Sequence, residues 1–134
     1  MAATNRIVIT GANGQLGSDL NSLLKGGGEV VGLTRHTMDI TNRPRVREQI
    51  LSLEPQLVIH AAAFTDVDAC QGDESLAMRV NAEGTDNVAN ACAESGARLI
   101  FYSTDYVFDG CKSSAYVETD SPNPQTVYGR SKLA

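Results

Sequence analysis

Tyr128 and Lys132 stand four residues apart in "YGRSK". On a helix that spacing puts both side chains on one face, a turn apart. The pairing has a chemical use. A free phenol titrates near pH ~10 and donates poorly at neutral pH, but a neighbouring ammonium favours the phenolate and draws the phenol towards a working range. A hydroxyl aimed at the same substrate oxygen would complete such a site, and "FYSTDYVFDG" supplies Ser103 and Thr104 at the carboxyl end of a strand just ahead of that helix. Tyr-x-x-x-Lys is common by chance, so it gains meaning only from what stands upstream.

Upstream stands a glycine loop. "RIVIT" at 6–10 is a short β-branched run that reads as a buried parallel strand, and "TGANGQLG" follows it at once, with Gly11, Gly14 and Gly17 three apart and a helix opening behind them. At a strand-to-helix turn, glycines let the backbone turn sharply and let a pyrophosphate approach, while free N–H groups and the helix dipole hold the anion. A purely structural turn is the plainer alternative. The next strand ends in "GLTRHTMDI", where Arg35, beside Thr34 and His36, offers a cation to a 2′-phosphate and favours NADPH or dual use, although an exposed loop arginine is as often merely solvated. "AAAFTDVDAC" follows a third strand at its carboxyl end. The small Ala61, Ala62 and Ala63 suit either a flat ligand or tight strand–helix packing, and Thr65, Asp66 and Val67 lie beyond them, towards a substrate.

The elements that must position these residues alternate. Four apolar runs, at 6–10, 29–33, 56–61 and 97–103, read as strands, and "MDI" at 38–40 as a fifth, minimal one. Segments of helical period lie between them at 15–24, 44–53 and 75–92, and "DSPNPQTVYGRSKLA" reads as the beginning of a further helix, with Pro122 and Pro124 in its entry loop and good helix formers after Gly129. Alternation of this kind predicts an α/β fold, a Rossmann-like doubly wound parallel sheet with helices on both faces. No linker or repeat divides the chain, which predicts one domain over residues 1–134. The 42% apolar content supports a real core, and the net charge of −5, without a basic stripe, argues against nucleic acid or an anionic membrane as partner. No apolar run could span a bilayer and "MAATNR" lacks the features of a secretory signal, so the expected compartment is the cytosol. Cys70, Cys92 and Cys111 share no metal-ligand spacing and read as reduced, mostly packing residues; no metal site is expected. His60 reads as a core or hydrogen-bonded strand-end residue.

The G-x-x-G-x-x-G spacing resembles that of the extended short-chain dehydrogenase/reductase family. "MDIT", "AAAFTDVD", "VNAEGT", "STDYVFDG" and "YGRSKLA" are similar to the segments of its sugar-nucleotide reductases, over nearly the whole chain. That resemblance implies NADPH- or NADH-dependent reduction of the 4-keto group of dTDP-6-deoxy-L-lyxo-4-hexulose to dTDP-L-rhamnose, with the dTDP-sugar as partner and bacterial surface polysaccharide as the destination. In its terms Tyr128 gives the proton, Lys132 holds the nicotinamide ribose, and Thr104 hydrogen-bonds the reacting oxygen. Asp39 and Ile40 would meet the adenine ring. The remaining cofactor contacts would come from Gly11, Asn13, Gly14, Gln15, Leu16 and Gly17, from Arg35, from Ala61, Ala62, Ala63 and Thr65, and from Asn81, an asparagine that supports the site, though a helical asparagine can also just bond water. Val67, Thr104 and Asp105 would border the sugar. Sister dehydratases place an aspartate and a glutamate after the same threonine; here the pair is Asp105 and Tyr106, which favours simple reduction.

Family members continue past the position of Lys132 into a region that grips the nucleotide-sugar. The chain is therefore expected to be an N-terminal portion that binds cofactor weakly and turns over no substrate by itself. Two other readings stay open: a non-catalytic NADP-binding regulatory subunit similar to the β subunit of methionine adenosyltransferase, and a reductase of another nucleotide-sugar. A homodimer is also open.

Overall fold

The computed structural model describes residues 5–134; residues 1–4, part of the segment read as lacking a secretory signal, lie outside the described residues. By internal packing the chain divides into two compact units, one built of the chain up to Ala63 together with Glu83–Tyr102, the other of Phe64–Ala82 with Ser103–Ala134.

The first unit is a four-stranded parallel sheet in the order β2-β1-β3-β4, formed by β1 (Arg6–Thr10), β2 (Glu29–Leu33), β3 (Leu57–His60) and β4 (Arg98–Phe101). It is a Rossmann-like sheet with helices on both faces. The β-branched runs of β1 and β3 are buried at Val8, Ile9, Val58 and Ile59. Each contributes about 1.5–3 kcal/mol relative to exposure. α1 (Gln15–Leu24) lies against β1 and β2, while α2 (Arg43–Leu53) packs on α5 (Gly84–Ser95). Asn42 caps α2 by accepting from Arg45 N at 3.1 Å, and Gly96, at φ 76°, ends α5.

The second unit holds α3 (Val67–Gly72), α4 (Glu74–Ala77), most of a π-helical segment (Met78–Glu83), a 3-10 turn (Asp105–Val107) and α6 (Val127–Leu133). Cys70, Ala77 and Val127 form its small core, with Phe64 and Tyr128 packed against them. Each short helix depends on a cap: Asp66 accepts from Ala69 N at 2.9 Å, Asp73 from Leu76 N at 2.9 Å and Thr126 from Gly129 N at 3.0 Å. In the loop before α6, Asp109 gathers Tyr116 Oη at 2.6 Å, Cys111 N at 3.0 Å and Asn123 Nδ2 at 3.1 Å. Those donors hold its carboxyl down to about 2.

Two expectations need correction. "MDI" forms no strand: it makes no ladder with the sheet, and Met38 and Ile40 are buried from a loop, so their apolar character reflects core packing and not strand pairing. The helix expected over 75–92 is interrupted by the π segment between α4 and α5. α6 runs over Val127–Leu133 with Thr126 as its cap, and it carries both Tyr128 and Lys132. Among the described residues no helix is long and apolar enough to cross a membrane.

Candidate functional site

In the first unit the strand register decides what can meet. Thr10 pairs with Leu33 on one side and with His60 on the other, so all three strands end at one level. The glycine loop, the Arg35 turn and Ala61–Ala63 therefore leave from the same edge of the sheet. β2 lies to one side of β1 and β3 to the other, which makes that edge a topological switch point, the place where open α/β sheets bind ligands.

Bare backbone is what this loop requires. Gly11 has φ 66°, and a Cβ there would stand 2.7 Å from the Cα and N of Ala62; a Cβ on Gly17 would stand 2.1 Å from Gly11 O. Both distances are below anything a side chain tolerates, so loop, helix and the Ala61–Ala62 backbone pack at their closest approach. Asn13, Gly14, Gln15 and Leu16 are exposed at the start of α1. Gly14 offers no side-chain cap, the first turn carries no acidic residue, and the first intrahelical bond runs from Ser18 N to Gly14 O at 2.9 Å. An exposed, uncapped helix start without acidic neighbours fits an anionic pyrophosphate.

Arg35 and His36 are exposed on a tight turn closed by Thr37 N to Thr34 O at 3.1 Å and Met38 N to Thr34 O at 2.8 Å. Asp39 Oδ1 accepts from Thr41 N at 2.9 Å and Thr41 Oγ1 at 2.8 Å, and the Ile40 side chain belongs to the core. His60 is a hydrogen-bonded strand end. Its Nδ1 lies 2.6 Å from Thr10 Oγ1 and its Nε2 3.1 Å from Thr85 Oγ1. Ala62 N donates to the same Thr10 Oγ1 at 3.2 Å, so one hydroxyl joins the His60 ring to the backbone that follows β3.

The second unit brings together Thr104, Asp105, Tyr106, Tyr128 and Lys132, because α6 packs directly on the 3-10 turn. A Cβ at Gly129 would stand 2.2 Å from Tyr106 O, so only glycine allows this approach. The Tyr106 ring meets the Tyr128 ring edge-on, 5.6 Å between centroids at 72°. Tyr106, which sequence comparison weighs only as a missing carboxylate, is thus a wall against Tyr128. Thr104 Oγ1 accepts from Tyr106 N at 3.2 Å and donates to Asp105 Oδ1 at 3.3 Å, capping the turn. Lys132 is buried on α6, one helical turn from the half-buried Tyr128, and burial pushes its ammonium below the usual lysine value. Thr65 is exposed, and Val67 opens α3.

Asn81 holds the unit together. It accepts from Phe64 N at 2.7 Å and donates to Phe64 O at 2.8 Å and to Ser131 Oγ at 2.9 Å. Sequence reasoning passed over Ser131 and Gly129. A glycine directly after the tyrosine, in a helix that could have had alanine, is the signal that marks the close approach. Of the cysteines, Cys70 and Cys92 are buried, with burial pushing the Cys92 thiol up to about 11, whereas Cys111 is exposed.

The model of the RmlD substrate binding domain matches residues 5–134. A dTDP-4-dehydrorhamnose reductase of Mycobacterium tuberculosis is 48% identical over 136 residues, covering 98% of this chain and 44% of the relative. A dTDP-4-keto-6-deoxy-D-glucose reductase of Streptomyces niveus is 42% identical, covering 98% of this chain and 46% of the relative. The crystal structure of a Bacillus anthracis dTDP-4-dehydrorhamnose reductase in complex with NADP superimposes with a TM-score of 0.94 at 40% identity, over 99% of this chain and 48% of that one. The chain thus spans about half the length of the relatives it matches, and it belongs to the RmlD substrate binding domain family.

Proposed function

We propose that the protein carrying this chain reduces the 4-keto group of dTDP-4-dehydro-L-rhamnose to dTDP-L-rhamnose with NADPH or NADH, and that residues 1–134 are its cofactor-binding domain. The observation that carries this reading is the buried Lys132 one helical turn from Tyr128, on a helix packed against the 3-10 turn that Thr104 caps. The reductases it resembles, named for dTDP-4-dehydrorhamnose and dTDP-4-keto-6-deoxy-D-glucose, support a dTDP-linked 4-keto sugar as the substrate class.

When bound, the nicotinamide supplies the hydride that adds to the keto carbon. Everything else falls to the chain. The Tyr128 phenol delivers the proton to the carbonyl oxygen as its π bond breaks, leaving a secondary alcohol. Lys132 supplies the positive charge that stabilises the phenolate left behind, and the same ammonium would hold the nicotinamide ribose. Thr104, by exchanging its bond to Asp105 for one to the substrate, orients the same oxygen. Gly11 to Gly17 hold the pyrophosphate, and Arg35 on its exposed turn offers charge to a 2′-phosphate. Asp39, with Ala61 to Ala63, completes the adenosine side. Val67 and Asp105 face the sugar.

The test is NADPH and NADH consumption by the native protein with the dTDP-keto sugar, wild type against Tyr128→Phe. The variant keeps the ring contact with Tyr106 and lacks only the proton. Its kcat is expected to fall by about 10²–10⁴-fold. A rate that survives the loss of the phenol removes Tyr128 as the donor.

A further inference from the structure

We propose that Ser131 is a positioning residue for Tyr128: a buried hydroxyl that ties the first turn of α6 to Asn81 and thereby sets the direction of the phenol. The proposal rests on reading Tyr128 as the proton donor. Ser131 is 1% exposed.

The polar chain has one direction throughout. Phe64 N donates to Asn81 Oδ1, so the other end of that amide is the NH2 group, and its two hydrogens go to Phe64 O and Ser131 Oγ. Having accepted there, the serine passes its own hydrogen to Tyr128 O at 2.8 Å. Turning the Asn81 amide over would set donor against donor, so the tether locks in one state.

Serine is a poor choice for a buried helical position unless its hydroxyl is used. Alanine has the better helix propensity, and a buried hydroxyl without a partner costs about 1–3 kcal/mol. Here the hydroxyl reaches out of its own helix to Asn81, which sits in the π segment, and wide turns of that kind gather at functional sites. α6 is held by Val127 in the core with Cys70 and Ala77, by Gly129 pressed against the Tyr106 carbonyl and by Ser131 tied to Asn81. Losing the tie to Asn81 loosens the helix on that side, next to the Tyr128 carbonyl, and a displacement of the donor by about 1 Å can cost on the order of 100-fold in rate.

The experiment uses the native protein as wild type, Ser131→Ala, Asn81→Ala and the double variant, assayed well below their unfolding temperatures. Beside it, the ring signal of Tyr128 is followed by NMR with tyrosine labelled at Cζ. Ser131→Ala is expected to lower kcat by about 10- to 100-fold while KM stays within about 2-fold. The double variant should be no slower than the slower single variant, because both cut one tether. The Tyr128 signal should shift or broaden in both single variants. Ser131→Thr, which keeps the hydroxyl, should restore most of the rate, and Ser131→Cys carries the same comparisons should alanine fail to fold. A wild-type kcat with an unmoved ring signal in Ser131→Ala overturns the proposal, as do fully additive losses. If the wild type itself consumes no reduced cofactor, the proposed function falls and the ring signal alone decides the role of Ser131.

Discussion

At Lys132 the burial of an ammonium has a sign that can be worked out. Its folded pKa lies below the usual 10.5, so between those two values the unfolded chain binds more protons than the folded one. Stability therefore rises with pH across that window, and the cost of burying the charge is fully present below the folded value. Lys132→Met keeps the length of the side chain and removes the charge. Its thermal midpoint at pH 7 is expected to equal or exceed that of the wild type, with the difference closing as pH climbs past 10.5, while reduction of the keto sugar is lost. Calorimetry at pH 7 and pH 10.5 checks this, and a lower midpoint for the methionine variant at pH 7 would make the buried ammonium a net stabiliser. The pairing of Tyr128 with Lys132 was legible in the sequence because a helix converts spacing four into one face. Ser131, between them, was not: a serine in a helix reads as surface, and only packing reveals it as buried.

Among the elements, α6 illustrates how a local rule and a tertiary contact divide the work. Thr126 starts the helix through its cap, which spacing alone could suggest, but the separation of α6 from the 3-10 turn is decided by Gly129 against a backbone carbonyl that cannot give way. Gly129→Ala improves helix propensity by about 1 kcal/mol and still should destabilise, because relieving the clash costs on the order of 1–3 kcal/mol and moves Tyr128 off the Tyr106 ring. Urea denaturation with a kcat measurement tests both halves, and an alanine variant as stable and fast as wild type would show that the helix accommodates it by sliding. The strands were readable because buried parallel strands are continuous β-branched runs. α3 and the π segment were not, since α3 is only six residues long and held by Asp66, and an apolar period does not report where hydrogen bonds widen. "MDI" failed for a related reason: a strand exists only with a partner, and pairing is not local.

Over the whole molecule, the residues read as cofactor contacts fall chiefly on the carboxyl edge of the first unit's sheet, and the reacting groups fall in the second. The glycine loop, the Arg35 turn and Ala61–Ala63 owe their common level to the register of β1, β2 and β3, which this chain contains in full. Phosphate and adenosine recognition should therefore survive in the 134-residue chain by itself, although weakened. A sugar-nucleotide pocket needs more surface than Val67, Thr104 and Asp105 offer, and the relatives that carry the activity are about twice as long. The chain alone is expected to bind NADPH in calorimetric titration and to show no keto-sugar-dependent oxidation of it, whereas the protein proposed to carry it is expected to do both. Arg35→Ala should weaken NADPH binding by about 10-fold or more and leave NADH nearly unchanged, because only NADPH carries the 2′-phosphate whose charge-assisted bond is removed. Equal loss for both cofactors would move Arg35 from the 2′-phosphate to a general role in the turn, and turnover by the 134 residues alone would place the whole sugar site within them.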